Sequence, residues 1–383
     1  MKDPRQKLEE YEEAGLLRRL RSVDSLPGGL ARVADGRIVV NFASNDYLGL
    51  AHHPALMNAM QQGVRDYGTG STASRLVTGT RAVHARLEDA LAELKGTQAA
   101  LSFSSGYATS VGLIPSIVGK GDVIVLDKLS HASLIDGAKL SGAELHTFLH
   151  NNTESLKRRL TAIRKKMPDA DILVVTESVF SMDGDRAPLR EIVEVKDQFG
   201  AMLLVDEAHG FGLMGRRGAG LASECGVSGR IEFQMGTLSK SAGLSGGYVA
   251  CSRAWVDYLI NHARSFIYST APAPCLAVAA LESLRLIAGE EGEERRARLG
   301  ELARRFSLVL GESGRPVSSI FPYIVGENDA ALVLAQDLLE KGFLAPAIRY
   351  PTVPLGTARL RMTLTASHTT EQLHELEAVL KAR

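Results

Sequence analysis

Between residues 98 and 251 the chain repeats one pattern: a short apolar run, a turn of small and polar residues, then a helical stretch. The runs cover 99–103, 123–126, 172–176, 202–205, 231–235 and 247–251. A continuous apolar run of that length is buried on both faces, and helices between such runs are the crossovers of a parallel sheet. The pattern predicts an α/β fold with a large domain of mostly parallel sheet covered by helices. Ligands of such sheets bind beyond the carboxyl ends of the strands. The residues that follow these runs include Gly106, His131, Ser181, Asp206, His209 and Lys240. Packing needs alone do not place polar groups at five strand ends along one rim.

Elsewhere the periodicity changes. Residues 5–21 read as a helix with Leu8, Tyr11, Leu16, Leu17 and Leu20 as its apolar positions, ending before a break at Pro27-Gly28-Gly29. Residues 37–43 read as a strand leading into the turn cluster Ser44-Asn45-Asp46-Tyr47, and a helix follows Pro54. Segment 68–75 is too rich in Gly, Ser and Thr to be a core element. A long helix is expected over 273–288, then a solvated one with Glu291 and Arg295 at i, i+4. Beyond it come a strand (318–325), a helix (329–341), strands at 343–348 and 358–364, and a helix at 370–382. Thr369 and Gln372 supply a capping box for the last. This second pattern predicts a smaller C-terminal α+β domain. The expected organisation is an N-terminal helix and arm (1–40), a large domain (41–285) and a small domain (286–383).

Charge adds little. With 44 Lys+Arg against 44 Asp+Glu the chain is formally neutral, so no global field points to nucleic acid or a membrane. The basic clusters at 157–159 and 164–166 alternate with Leu156, Leu160 and Ile163, the wet face of a surface helix. Three cysteines without a CxxC spacing argue against a disulfide framework or zinc site and fit a reducing cytoplasm. The first residues lack an apolar signal core, and no apolar run reaches the ~18 residues of a membrane span.

The candidate chemistry centres on Gly236-Thr-Leu-Ser-Lys240-Ser-Ala-Gly243. Surface lysines usually sit among charged neighbours; this one sits in a small-residue loop after a buried strand. A partly desolvated amine has a lowered pKa and becomes a usable nucleophile or base. Asp206, at the end of another strand, needs a cationic or hydrogen-bonding partner, which a protonated pyridine nitrogen would supply. A helix cap or metal ligand is the other reading, but no further carboxylate–histidine pair at ligand spacing supports metal. Ser104-Ser105-Gly106-Tyr107 at a strand-to-helix turn offers a phosphate cup. His131 opens a helix, where the positive end keeps the imidazole neutral and able to stack on an aromatic ring. His209 could hold a ring hydroxyl or position Asp206, or be a satisfied core group. Gly243-Leu-Ser245-Gly-Gly247 matches the G-x-S-x-G expression of a serine hydrolase, but a strand follows it where that motif needs a helix. There is no G-x-G-x-x-G turn for a nicotinamide cofactor.

With these residues in view, the chain resembles the fold-type I pyridoxal-phosphate enzymes, and within them the α-oxoamine synthases. The segments that carry the resemblance are NFASNDYLGLAHHP (41–54), GTGSTASRLVTGT (68–80), SFSSGY (102–107), LSHASLIDGAKLSGA (129–143), TESVFSMDGD (176–185), LVDEAHGFG (204–212), GTLSKS (236–241), YSTAP (268–272) and YPTVPLGTARLRMT (350–363). They follow the family's order through almost the whole chain. The resemblance implies that Lys240 is the Schiff-base lysine, Asp206 the partner of the pyridinium nitrogen, and His131 the ring that stacks on the cofactor. Ser181 and His209 would bond its phenolic oxygen, and Gly106, Tyr107 and Thr237 its phosphate. Thr270 would reach the phosphate of a partner subunit, which implies a homodimer with shared sites. Arg361 would grip the amino-acid carboxylate, Asn45 and Thr352 would line the substrate pocket, and Arg18 would lie near the acyl group. The implied reaction joins an amino acid to an acyl thioester with loss of carbon dioxide. The motifs are most similar to those of members that pair L-alanine with a pimeloyl thioester, with glycine and an acetyl thioester as the rival pairing.

Overall fold

A computed structural model describes residues 3–311 and 318–381; residue 382 of the expected last helix lies outside them. In chain order the strands are β1 (Val23–Leu26), β2 (Leu30–Val33), β3 (Ile38–Asn41), β4 (Ala99–Phe103), β5 (Val123–Asp127), β6 (Glu144–Phe148), β7 (Ile172–Glu177), β8 (Met202–Asp206), β9 (Phe233–Thr237), β10 (Gly247–Cys251), β11 (Ile320–Gly326), β12 (Phe343–Leu344), β13 (Ala347–Ile348) and β14 (Ala358–Thr363). They fall into two compact units. One comprises Leu50–Ser181 and Asp185–Ala297; the other combines the chain up to Gly49, residues 182–184, and the chain from Arg298 onward.

The first unit is built on a seven-stranded sheet in the order β4-β10-β9-β8-β7-β5-β6. All its pairs are parallel except those of β10, which runs against both neighbours. Only nine residues separate β9 from β10, too few for the crossover that a parallel pair requires. The six remaining strands point one way, so the turns after β4, β5, β7, β8 and β9 leave the same edge. The apolar run at 231–235 begins two residues too early for the strand: Ile231 still follows the tight turn Ser228–Arg230, and β9 runs on to Thr237. Strand β6 carries a half-exposed pattern at the sheet edge and was not evident from apolar content. Leu101, Ile124, Leu173, Val175, Leu204, Phe233, Met235 and Val249 are buried in the core of this unit. Each such aliphatic side chain contributes about 1.5–3 kcal/mol.

The second unit brings both ends of the chain into one sheet. Strand β3 pairs antiparallel with β2 and parallel with β12, Val40 opposite Phe343. The expected break at 27–29 is a hairpin turn between β1 and β2, made possible by left-handed Gly28 and Gly29 (φ +79° and +70°). The expected first helix covers only Pro4–Glu13: Gly15 takes φ +64°, and the amides of Leu16 and Leu17 both turn back to the Tyr11 carbonyl. The single strand expected over 343–348 is two short ones in different sheets, because Pro346 between them has no N–H for a ladder. A second sheet runs β11-β14-β13. In the core, Phe42 stacks with Phe306 and with His368, and burial pushes the His368 pKa down to about 4. The last helix, Thr370–Lys381, opens on the expected capping box: the Thr369 N–H donates to Gln372 and the Gln372 N–H to Thr369. Among the described residues no helix is long and apolar enough to cross a membrane.

Candidate active site

Lys240 lies three residues past the end of β9, in a loop closed by hydrogen bonds from Leu238 N to Gly246 O (3.0 Å) and from Leu244 N to Leu238 O (2.9 Å). The loop needs its small residues. Gly243 has φ +69°, and a Cβ there would stand 2.6 Å from the Ala51 amide nitrogen. The Lys240 Nζ is 2.8 Å from Nε2 of His209, which follows β8 and is 5% exposed.

Asp206 ends β8 at 6% exposure, and its carboxylate accepts the Ala208 N–H at 2.8 Å. Burial pushes its pKa up, while Lys240, that N–H and His131 pull the other way. Asp206 therefore sits in a site that calls for positive charge. His131 caps the helix Ala132–Ser141, its Nδ1 accepting the Ser133 N–H at 3.2 Å, which leaves the ring proton on Nε2. Burial holds its pKa below the usual histidine value despite the nearby Asp206 carboxylate, so the ring is neutral.

The helix Gly106–Ile117 starts immediately beyond β4, capped by Ser105, whose Oγ accepts the Ala108 N–H at 3.0 Å. Gly106 lies against Thr237: a Cβ on it would stand 3.4 Å from the Thr237 Cβ. The Thr237 hydroxyl donates to Gly246 O at 2.7 Å. Tyr107 is exposed and its hydroxyl donates to Asp136, leaving its backbone as the part directed to the helix start. Ser181 is half-buried in the turn after β7. The base of that turn is held by Phe180 N–H donating to Asp185 O, and the Asp185 carboxylate is bonded to His150. His150 also bonds Asp127 at the end of β5. Thr270 is exposed, bridged to Ser74 rather than joined to the lysine cluster.

One residue escaped the sequence reading. Glu177, the last residue of β7, is 2% exposed and accepts the backbone N–H of His131 at 2.6 Å. Its only signal was its place in the 176–185 segment, one strand over from Asp206.

The other unit gathers the remaining candidates in two groups. Arg361, on β14 and 8% exposed, donates to Asn45 Oδ1 at 3.1 Å and to the Tyr47 hydroxyl at 3.4 Å. Tyr47 in turn donates to Asn45 at 3.0 Å, and burial pushes its pKa up to about 12, so the hydroxyl stays a donor. Asn45 and Tyr47 thus help to set the arginine. Two residues away, Arg359 is bound to Asp183 at 2.6 Å. The second group is Arg18, which donates to Thr352 Oγ1 at 3.2 Å. They line a cavity of about 820 Å³ with Leu16, Leu17, Ile348 and Arg349. Arg349 donates to the carbonyls of Gly15 and Leu17 and so fixes this segment, while neighbouring Arg19 is paired with Glu12 instead.

Among the described residues no group of His, Cys, Asp and Glu side chains could hold a metal ion. The donor set suits an aromatic aldehyde phosphate: an amine beside a histidine, a buried carboxylate awaiting a cation, a flat neutral imidazole, and a glycine at a helix start against a threonine.

The family model for aminotransferases of class I and II matches residues 37–380. The chain is 47% identical to the 8-amino-7-oxononanoate synthase of Geobacter sulfurreducens, over 97% of this chain and 95% of that one. It is 43% identical to the 8-amino-7-oxononanoate synthase of Paraburkholderia xenovorans, over 98% and 96%. Among solved structures it resembles Sphingomonas wittichii serine palmitoyltransferase, with a TM-score of 0.92, 35% identity and coverage of 99% and 96%. It also resembles the 8-amino-7-oxononanoate synthase of Francisella tularensis, with a TM-score of 0.75, 28% identity and coverage of 90% and 98%.

Proposed function

The chain belongs to the aminotransferase class I and II family, and we propose that within it the protein condenses L-alanine with a pimeloyl thioester. The products are 8-amino-7-oxononanoate, the free thiol and carbon dioxide, a step of biotin biosynthesis. The observation that carries the reading is the pair Lys240–His209 at 2.8 Å, beside buried Asp206 on the next strand, in a chain 42–47% identical to synthases of that name.

Pyridoxal phosphate would be held by Lys240 through its amine, with Asp206 to pair the ring nitrogen, His131 to stack on the ring, Ser181 and His209 to bond its hydroxyl, and Gly106, Tyr107 and Thr237 to hold the phosphate. When bound, this cofactor supplies an electron sink for the carbanion at the amino-acid α-carbon. The rest falls to the side chains. Arg361, held in place by Asn45 and Tyr47, binds the alanine carboxylate through its planar fork. The Lys240 amine, 2.8 Å from His209, removes the α-proton and later returns one. Arg18 and Thr352 bind the acyl thioester beside the apolar lining of their cavity. Overall, the α-carbon forms a bond to the acyl carbon, the C–S bond breaks, and the carboxylate leaves as carbon dioxide.

A homodimer fits this reading. Thr270 of the partner subunit would complete the phosphate site, and near Thr270 the chain exposes large apolar side chains: Tyr268 at 72% and, following Ser74, Leu76 at 53% and Val77 at 73%. Contiguous exposed apolar groups of this kind are what a second copy would cover.

Thiol release from the cofactor-loaded protein tests the reading, with L-alanine plus pimeloyl-coenzyme A, glycine plus acetyl-coenzyme A, and L-serine plus palmitoyl-coenzyme A run side by side. Release with the first pairing is expected. Release mainly with the second or third keeps the site chemistry and overturns the substrate assignment.

A further inference from the structure

Glu177 and Asp206 are register partners at the ends of adjacent parallel strands, and both are buried. Two carboxylates so placed cannot both carry charge without a large penalty. The groups facing Glu177 are Asp206 from β8, His131 at the start of its helix, Lys240 from the lysine loop, and Asp127 at the end of β5. Its carboxyl accepts a short hydrogen bond from the backbone N–H of His131. That residue sets the course of the chain into the helix Ala132–Ser141 and the aim of its own ring.

We propose that Glu177 is a positioning residue, which fixes the His131 backbone through this bond and shares a single negative charge with Asp206. The inference rests on the lysine-centred reading above. The shared proton leaves the charge where the cofactor ring needs it, on Asp206, while the Glu177 oxygen still anchors His131. Burial and the Asp206 charge both drive the Glu177 pKa well above the usual carboxylate value, the direction that this sharing requires.

The test compares Glu177→Gln, which keeps the accepting oxygen and replaces the O–H donor by an amide, with Glu177→Ala, which keeps neither. With L-alanine and pimeloyl-coenzyme A, Glu177→Ala is expected to lose up to about 100-fold in kcat, the cost of a misplaced ring, with a smaller change in KM. Glu177→Gln is expected to restore most of that loss. Melting of the cofactor-free proteins supplies an independent reading and shows that the alanine variant folds. A carboxyl that binds its proton more tightly when folded stabilises the fold at low pH and loses that contribution as pH rises above the usual carboxylate range. The Glu177→Gln variant does not titrate there, so its melting temperature is expected to gain on the parent between about pH 5 and about pH 8. A kcat loss in Glu177→Gln equal to that of Glu177→Ala overturns the proposal, and so does a melting difference that stays flat across pH. Should the parent itself turn over none of the three substrate pairs, the reading of the reaction fails, while the melting curves still judge Glu177.

Discussion

In the seven-stranded unit the titratable groups of the site are buried: Asp206 and Glu177 at the ends of adjacent parallel strands, and His209 just beyond β8, are each under 7% exposed. In the unit made from the chain ends, Arg18 and Thr352 are exposed, and the segment before Arg18 is tied to Arg349 through its carbonyls. Arg361 stands between these extremes, buried and hydrogen-bonded to Asn45 and Tyr47. The contrast separates two tasks. Moving a proton at a fixed atom needs groups whose charge state is imposed by burial and by each other. Choosing a substrate needs cations with room beside them, and a wide cavity provides it.

If that division holds, changes in the first unit strike kcat and changes in the second strike KM. Lys240→Ala is the harshest test: thiol release is expected to fall by about 10²–10⁴-fold or more, together with the visible absorbance of the bound cofactor. An unchanged absorbance would dissolve the contrast at its centre. Arg361→Ala removes a charged hydrogen bond to the amino acid, and the KM for alanine is expected to rise by about 10–100-fold with less change in kcat. A kcat loss as large as that of Lys240→Ala would erase the distinction between the units. His150 tests the electrostatics of the buried side. Burial works against its protonation, yet the hydrogen bonds it donates to the Asp127 and Asp185 carboxylates outweigh it and raise its pKa to about 10. This contribution is complete below the ordinary histidine value of 6.5 and is lost as pH rises through about 10. The melting temperature of His150→Gln should therefore lie furthest below the parent near pH 6, by about 2–4 °C per kcal/mol lost, with the gap closing toward pH 10. The mildest probe is Arg18→Ala, expected to raise the KM for the acyl thioester by roughly 2–10-fold. Arg19→Ala, with its partner Glu12 on the same segment, should leave that KM unchanged.

The two units also differed in how readily the chain betrayed them. The buried strands β4, β5, β7 and β8 stand out as apolar runs between small-residue turns, and because their turns share an edge, so do Asp206, His131 and Lys240. The direction of β10 was hidden, since an apolar run carries no sign; only the short connection from β9 reveals it. Glu177 was hidden for a different reason: a carboxylate in a polar turn looks like any cap until the neighbouring strand is known to end in Asp206. In the second unit, pairing across the whole chain decides the structure. Nothing near Val40 points to Phe343, and the helical periodicity through Leu20 outlasts the helix, which the left-handed Gly15 ends.

The pairing of β3 with β12 has a consequence for biogenesis. On the ribosome, β3 emerges roughly 300 residues before its parallel neighbour, a wait of about 15–60 s at ordinary elongation rates. All seven strands of the other sheet emerge in that interval. The nascent protein thus completes its lysine-bearing half first and carries an open strand edge at its leading end until translation is nearly finished. That makes the first 49 residues the part of the newborn chain with most to gain from a chaperone.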